Sequence, residues 1–178
     1  MEEEYLLIYY NDGLYTVNLD GHQEKQISDT TKFVEDYCLK NGSTLQGRND
    51  AFRFLTCTRY KPSLVVSNQK GLYYLATKRI QNATELYLIN YLELEKYKII
   101  DNNHTLIIFK NGYQIELPIN YRIIKRQINL LRTYLRSISF KLYKCYNFNH
   151  DWKGFVIIFV WWVVYLDYNF NFCDYSSK

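Results

Sequence analysis

Short β-prone apolar runs separated by turn residues dominate the pattern from the N-terminus to Leu117. Tyr5–Tyr10 is such a run, Asn11-Asp12-Gly13 supplies turn chemistry, and Leu14–Leu19 alternates Leu14, Thr16 and Asn18 against Tyr15, Val17 and Leu19. That is the pattern of a half-buried β-hairpin. Ser63–Val66 and Leu72–Thr77 repeat it around Asn68-Gln69-Lys70-Gly71, and Leu86–Leu94 and Tyr97–Ile100 read as extended. Thr105–Phe109 and Tyr113–Leu117 flank Lys110-Asn111-Gly112, and Asn-Gly is the strongest short hairpin signal, because both residues tolerate positive φ. No repeat period emerges beyond these hairpins.

Two segments break the alternation with helical spacing. Asp29 is placed to cap a short helix through Lys40, with Phe33, Val34, Tyr37 and Cys38 on one face and Asn41-Gly42 as its stop. The following STLQGRND, 43–50, is polar and reads as a loop. Residues 51–60, AFRFLTCTRY, suit helix and strand equally, and Pro62 ends that element. The strongest helix follows Pro118, with Asn120 as its N-cap. At 100° per residue, Arg122, Lys125, Arg126, Asn129, Arg132 and Arg136 fall within an arc of about 120°. Ile123, Ile124, Ile128, Leu130, Leu131, Tyr134, Leu135 and Ile138 fill the opposite side, with Gln127 as the one polar intruder. The expected fold class is α+β: antiparallel β-hairpins packed with a short N-terminal helix and a long basic amphipathic helix.

Beyond this helix the pattern changes. Phe155–Leu166, FVIIFVWWVVYL, is twelve uncharged apolar residues, too short for the roughly 20 needed to span a bilayer. It reads as a buried core strand, as an association or membrane-surface segment, or as a terminus whose reading frame has changed. Exposed, it would aggregate, so something must cover it. The expected organisation is one domain over 1–138 and a divergent aromatic and apolar tail over 139–178, which suits a length of 178 residues.

Charge is distributed unevenly. The net +4 conceals 4 basic and 10 acidic side chains in residues 1–50, against 16 basic and 5 acidic in residues 51–150. A basic middle points to an anionic partner or to an internal acidic arm. Aromatics reach 18%, mostly tyrosine, and on hairpins these suit core and cross-strand packing better than base stacking. The opening MEEEYLLIYY lacks a basic n-region, so no secretory signal is expected, and Cys38, Cys57, Cys145 and Cys173 are too far apart for a disulfide scaffold or zinc site. Reduced thiols in a cytoplasm follow.

Catalytic chemistry is poorly represented. His22, His104 and His150 have no metal spacing, and there is no nucleophile elbow, phosphate-binding Gly loop or dinucleotide fingerprint. Glu93 and Glu95 share one side of a strand, but Lys96 and Lys98 follow, which suggests an exposed ion-pair edge. No enzyme activity, cofactor, metal or small-molecule substrate is expected. The basic helix face carries the signal. Five cations without an intervening acid repel one another, and Arg-rich surfaces match phosphates through bidentate hydrogen bonds. Arg48, Arg53, Arg59, Lys61, Lys70, Lys78 and Arg79 could extend it along a nucleic-acid backbone. The contrary reading is a solvent face neutralised by the acidic N-terminal third.

The stretches VEDYCLKNGSTLQGR (Val34–Arg48), YKPSLVV (Tyr60–Val66), SNQKGLYYLATKR (Ser67–Arg79) and FKNGYQIELPINY (Phe109–Tyr121), followed by RIIKRQINLLRTYLR (Arg122–Arg136), together resemble the bacterial competence transcription factor family (ComK). Cys38, Gly42, Ser43, Gly47 and Arg48 stand where that family's Cys, Gly-Ser and Gly-Arg pattern would place them, and the Asn-Gly turn followed by ELPI is the most specific match. The resemblance covers residues 34–136. It implies a cytoplasmic DNA-binding activator of genes for DNA uptake, which reads paired AT-rich promoter boxes largely from the minor groove of double-stranded DNA. It also implies assembly as a homodimer or higher homo-oligomer, and an adaptor that delivers the protein to a Clp-type protease. Arg48, Arg122, Lys125, Arg126, Arg132 and Arg136 are the candidate DNA contacts. Downstream of Ser137 the chain departs from that family's polar, charged tail. Two rivals follow: a non-DNA interaction protein with an association-prone or membrane-surface C-terminal segment, and a defective paralogue that binds DNA without activating.

Overall fold

The computed structural model describes residues 4–58, 62–78, 80 and 85–146, with side chains described as far as Ser139. The apolar run Phe155–Leu166, and Arg59, Lys61, Arg79 and His150, lie outside the described residues. The chain divides between Leu130 and Leu131 into two units.

Nine strands and three helices follow one another in the described residues. β1 (Tyr5–Tyr10), β2 (Leu14–Asn18) and β3 (Gln23–Gln26) precede α1 (Thr30–Lys40) and α2 (Leu45–Thr56). β4 (Leu64–Ser67), β5 (Leu72–Ala76) and β6 (Leu86–Asn90) come next, then β7 (Leu94–Ile99), β8 (Thr105–Phe109), β9 (Gln114–Leu117) and α3 (Tyr121–Tyr146). Six strands form one sheet in the order β3-β2-β1-β6-β5-β4, and β7-β8-β9 form a second. All pairings are antiparallel. The α+β expectation holds, with α2 and β3 added to it.

Residue alternation decides which side chains meet. Ile8 lies opposite Thr16 and Leu88, and Leu88 opposite Ala76, so these positions share one sheet face. That face meets Val34, Tyr37 and Cys38 of α1 and Leu45 of α2 in a core with Leu64, Val66, Leu72 and Tyr74. Each fully buried aliphatic side chain contributes about 1.5–3 kcal/mol. Leu7, Val17, Leu75 and Ile89 are buried at the alternate positions. On that side Tyr9 stacks on Tyr15 at 5.1 Å and on Tyr87 at 6.0 Å, its cross-strand neighbours in register. Lys25 lies 5.5 Å from the Tyr15 ring centre and extends the row. The tyrosines therefore pack across strands, as their positions suggest.

The β1–β2 register shifts between Tyr5 and Leu7, and two buried side chains bond the Tyr5 carbonyl there. Tyr74 Oη donates to it at 3.2 Å and Asn90 Nδ2 at 3.0 Å. The Tyr37 and Tyr74 hydroxyls lie 3.2 Å apart, so α1 joins the same network.

α1 begins as its sequence indicates: Asp29 Oδ1 accepts from Thr31 N at 2.8 Å and Lys32 N at 3.2 Å. The segment 43–50 is not the loop its polarity suggests, because 45–56 is helical. Only Leu45 and Phe52 of this helix are buried, so its apolar periodicity is faint. Its start is set by capping instead: Thr44 Oγ1 accepts from Gly47 N at 3.0 Å, and the Glu35 carboxylate on α1 accepts from Leu45 N at 3.0 Å. Leu86–Leu94 is likewise not one extended run, since Tyr91–Glu93 forms a turn between β6 and β7. Glu93 therefore does not share a strand face with Glu95. Glu95 sits at a bulge and pairs with Lys96 at 3.1 Å, an exposed ion pair.

The second sheet is bound to the first through its turns. Asn111 Nδ2 donates to the Leu19 carbonyl at 2.7 Å, and Lys110 N to the Glu93 carbonyl at 2.9 Å. The Lys110–Gly112 turn thus both reverses the chain and anchors the hairpin.

Candidate nucleic-acid interface

Pro118 cannot continue the β9 ladder, and two residues later Asn120 opens α3 by accepting from Arg122 N at 2.9 Å. The Asn120 amide also donates to the Asn102 carbonyl, and Thr105 Oγ1 donates to the Ile119 carbonyl at 2.7 Å. The first turn of α3 is therefore clamped to the turn that joins β7 to β8.

The two sides of the helix separate as its spacing indicates. Ile124, Gln127 and Ile128 are buried, as are Leu131, Tyr134 and Leu135 further along. The intruding Gln127 is satisfied, since its Oε1 accepts from Ser63 Oγ at 2.7 Å. Arg122, Lys125, Arg126, Asn129 and Arg136 are exposed and Arg132 is half-buried. The Arg122 guanidinium lies 5.9 Å from the ring centre of Tyr121. Arg122, Lys125 and Arg126 belong to the first unit, Arg132 and Arg136 to the second.

Electrostatics makes the start of this helix a poor place for cations. No acid occupies its first turn, and the chain from Tyr121 to Tyr146 contains none at all. The N-terminal end of a helix carries partial positive charge, so Arg122 in the first turn costs about 0.3–1 kcal/mol where an anion would gain it, and Lys125 and Arg126 one turn on add like-charge repulsion. An arrangement unfavourable in the isolated molecule becomes favourable when phosphates supply the missing negative charge.

Arg48 is placed elsewhere. It lies half-buried on α2, and its Nη2 donates to the Asn41 carbonyl at 3.1 Å at the end of α1. Asn41 Nδ2 donates to the Tyr37 carbonyl at 2.9 Å. Together with the Glu35 cap, these bonds hold the α1–α2 corner around Cys38, whose thiol is pushed up to about 12 by burial and then by Glu35, with Arg48 opposing. The structure thus groups Arg122, Lys125 and Arg126 on exposed turns and gives Arg48 a bond within the corner. Sequence spacing marks the helix cations but not the second bond of Asn120, which depends on a turn eighteen positions away.

No group of His, Cys, Asp and Glu suited to a metal ion occurs among the described residues. A cleft of about 490 Å³ is lined by Tyr5, Gln26, Phe33, Asp36, Tyr37, Leu39 and Lys40, none of them a candidate contact. Among the described residues, no helix is long and apolar enough to cross a membrane.

A family model described as ComK protein matches residues 8–142, well over half of the chain and beyond both ends of the stretch whose motifs resemble that family. Neither the curated proteins nor the solved structures contain a match to this chain.

Proposed function

The chain belongs to the ComK family of competence transcription factors, and from that membership we propose that it is a DNA-binding activator whose exposed α3 cations engage the phosphates of AT-rich promoter DNA. The observation that carries this reading is an acid-free helix whose first two turns present three exposed cations, the first of them, Arg122, where the helix dipole opposes it. A narrow A/T minor groove has enhanced negative potential and draws in Arg and Lys side chains. Arg122, Lys125 and Arg126 are the leading contacts, Arg132 and Arg136 of the second unit are further candidates, and Arg48 assists from α2. Cytoplasmic action as a homo-oligomer on paired boxes, with turnover through a protease adaptor, completes the proposal. It invokes recognition alone, with no catalytic step, cofactor or metal.

The test is a salt titration of binding to two duplexes of equal length, one with paired A/T tracts and one GC-rich. Tighter binding to the A/T duplex is expected, with a slope reflecting about four or five phosphate contacts. The Arg126→Ala/Arg132→Ala protein should bind more weakly at low salt and flatten the slope by about 2. Absence of binding by folded protein overturns the proposal, and an unchanged slope in the double variant overturns the role of the helix.

A further inference from the structure

Ile99, the last residue of β7, and Ile100, which follows it, have 55% and 50% of their surfaces exposed. The other large hydrophobic residues exposed among those described, Leu19, Ile27, Leu39 and Phe54, are not adjacent to one another in sequence. Scattered single apolar residues on a surface need no explanation, but an adjacent pair at a hairpin end invites one. Its position supplies that explanation. Ile99 lies directly opposite Thr105 in the β7–β8 register, and Thr105 Oγ1 bonds the Ile119 carbonyl. Directly opposite side chains have Cβ atoms about 4.5–5.5 Å apart. Ile99 therefore lies beside the residue that clamps the start of α3. On the far side of Ile100, the Asn102 carbonyl accepts from Asn120, whose own side-chain oxygen caps Arg122.

The apolar pair is thus built onto the same rigid connection that presents Arg122. Lys98, exposed, precedes it on the strand. Asp101, which follows the pair, is engaged by its own turn. Its Oδ1 accepts from Asn103 N at 2.6 Å and His104 N at 2.7 Å, and its Oδ2 lies 2.8 Å from His104 Nδ1. The turn is held from within, as a wedge must be if it is to transmit force rather than bend.

We infer that Ile99 and Ile100 form an apolar wedge that enters between base steps of the bound duplex while the adjoining α3 cations hold its phosphates. This rests on the DNA-binding reading above and adds to it a deforming element. Branched apolar side chains inserted from the minor groove unstack a base step and kink the duplex, and flexible pyrimidine–purine steps yield most easily. Part of the preference for A/T sequence would then arise from deformability, without base-edge hydrogen bonds.

The test uses the full chain and an A/T-tract duplex carrying a stacking-sensitive fluorescent adenine analogue at successive steps. Binding should raise fluorescence at one step or at a symmetric pair of steps. The Ile99→Ala/Ile100→Ala protein should lose that rise and about tenfold in affinity while keeping the salt slope, because its phosphate contacts are untouched. Ile99→Phe, a bulkier wedge at an exposed site, should retain the rise. Binding by the wild-type chain without any rise, or a rise that survives in the double alanine variant, overturns the wedge alone. Failure of the wild-type chain to bind the duplex overturns the DNA reading and the wedge with it. A double variant that changes its oligomeric size while still unstacking the step assigns the pair to a protein contact and overturns the wedge.

Discussion

Ser63 Oγ donates at 2.7 Å to Gln127 Oε1, a buried bond between the residue that follows Pro62 and the inner side of α3. It explains how an amide is tolerated among isoleucines and leucines: burial without a partner would cost about 1–3 kcal/mol, and the hydroxyl removes that cost. Gln127→Ala should destabilise the protein by about 2–4 kcal/mol through a cavity and a stranded hydroxyl, and Ser63→Ala by about 1–2 kcal/mol. The double variant should lose less than the two combined, which urea unfolding of all four proteins would measure. Strict additivity would mean that the bond does not form in solution.

The corner between α1 and α2 offers a second measurement. Arg48→Ala should cost about 1 kcal/mol by removing the bond to the Asn41 carbonyl, and Thr44→Ala a similar amount by removing the N-cap of α2. On DNA the two should differ: only Arg48→Ala should also weaken binding, and by less than Arg126→Ala. Equal DNA affinity for Arg48→Ala and wild type, with the stability loss present, would confine Arg48 to the corner.

Gly71 and Gly112 both turn hairpins with positive φ, +70° and +86°. A Cβ at Gly112 meets nothing within 4 Å, whereas one at Gly71 would lie 2.8 Å from Leu92 Cδ1. Gly112→Ala should therefore cost only the left-handed strain, about 1–2 kcal/mol. Gly71→Ala should lower the urea midpoint further, because Leu92 must also move. Leu92→Ala in the Gly71→Ala background should narrow the gap relative to Leu92→Ala alone.

Acid should loosen the β7–β8 turn before the rest of the first unit. The backbone N–H of Asn103, followed by the His104 side chain, holds the Asp101 carboxyl below the ordinary aspartate range. A depressed carboxyl stabilises the folded turn above its unfolded value and loses that contribution as pH falls through its lower folded value. Amide exchange at Asn103 and His104 should therefore accelerate as pH drops below about 4, after correction for intrinsic exchange. Asp101→Asn should abolish that pH dependence. A profile identical in the two proteins would show that the carboxylate does not hold the turn.

Cys38 and Cys57 should differ in reactivity. Cys38 is buried with its thiol pushed up to about 12, while Cys57 is exposed at the end of α2. Only thiolate reacts, so peptide mapping after alkylation at neutral pH should find Cys57 modified first and Cys38 modified on unfolding. Early labelling of Cys38 would show that the α1–α2 corner opens in the native state.

Legibility of the fold follows how locally each element is determined. The hairpins around Asn11–Gly13 and Lys110–Gly112 and the caps Asp29 and Asn120 are readable, because each depends on residues within a few positions of the turn or helix start. α2 is not, because its cap comes partly from Glu35 ten positions upstream and only Leu45 and Phe52 face inward. β3, Gln23–Gln26, has no apolar residue at all and is a strand only because β2 offers it an edge. In the candidate interface the helix cations are legible from spacing alone. The clamp from Asn102 and Thr105 to the start of α3 is not, since polar side chains in turns carry no periodic signal.

The position of β1 within its sheet has a consequence for how the protein is made. β1 lies between β2 and β6, so Tyr9 finds one neighbour at Tyr15 and the other at Tyr87. A ribosome delivering the chain from its N-terminus releases the first hairpin long before β6 exists, and the hairpin must wait with one apolar edge unpaired. During that interval Tyr5–Tyr10 is an adhesive strand, open to chaperones or to other nascent chains. Closure of so distant a pair makes for slow folding, and synthesis halted before Leu86 would leave β1–β3, the two helices and the β4–β5 hairpin without the strand that joins them.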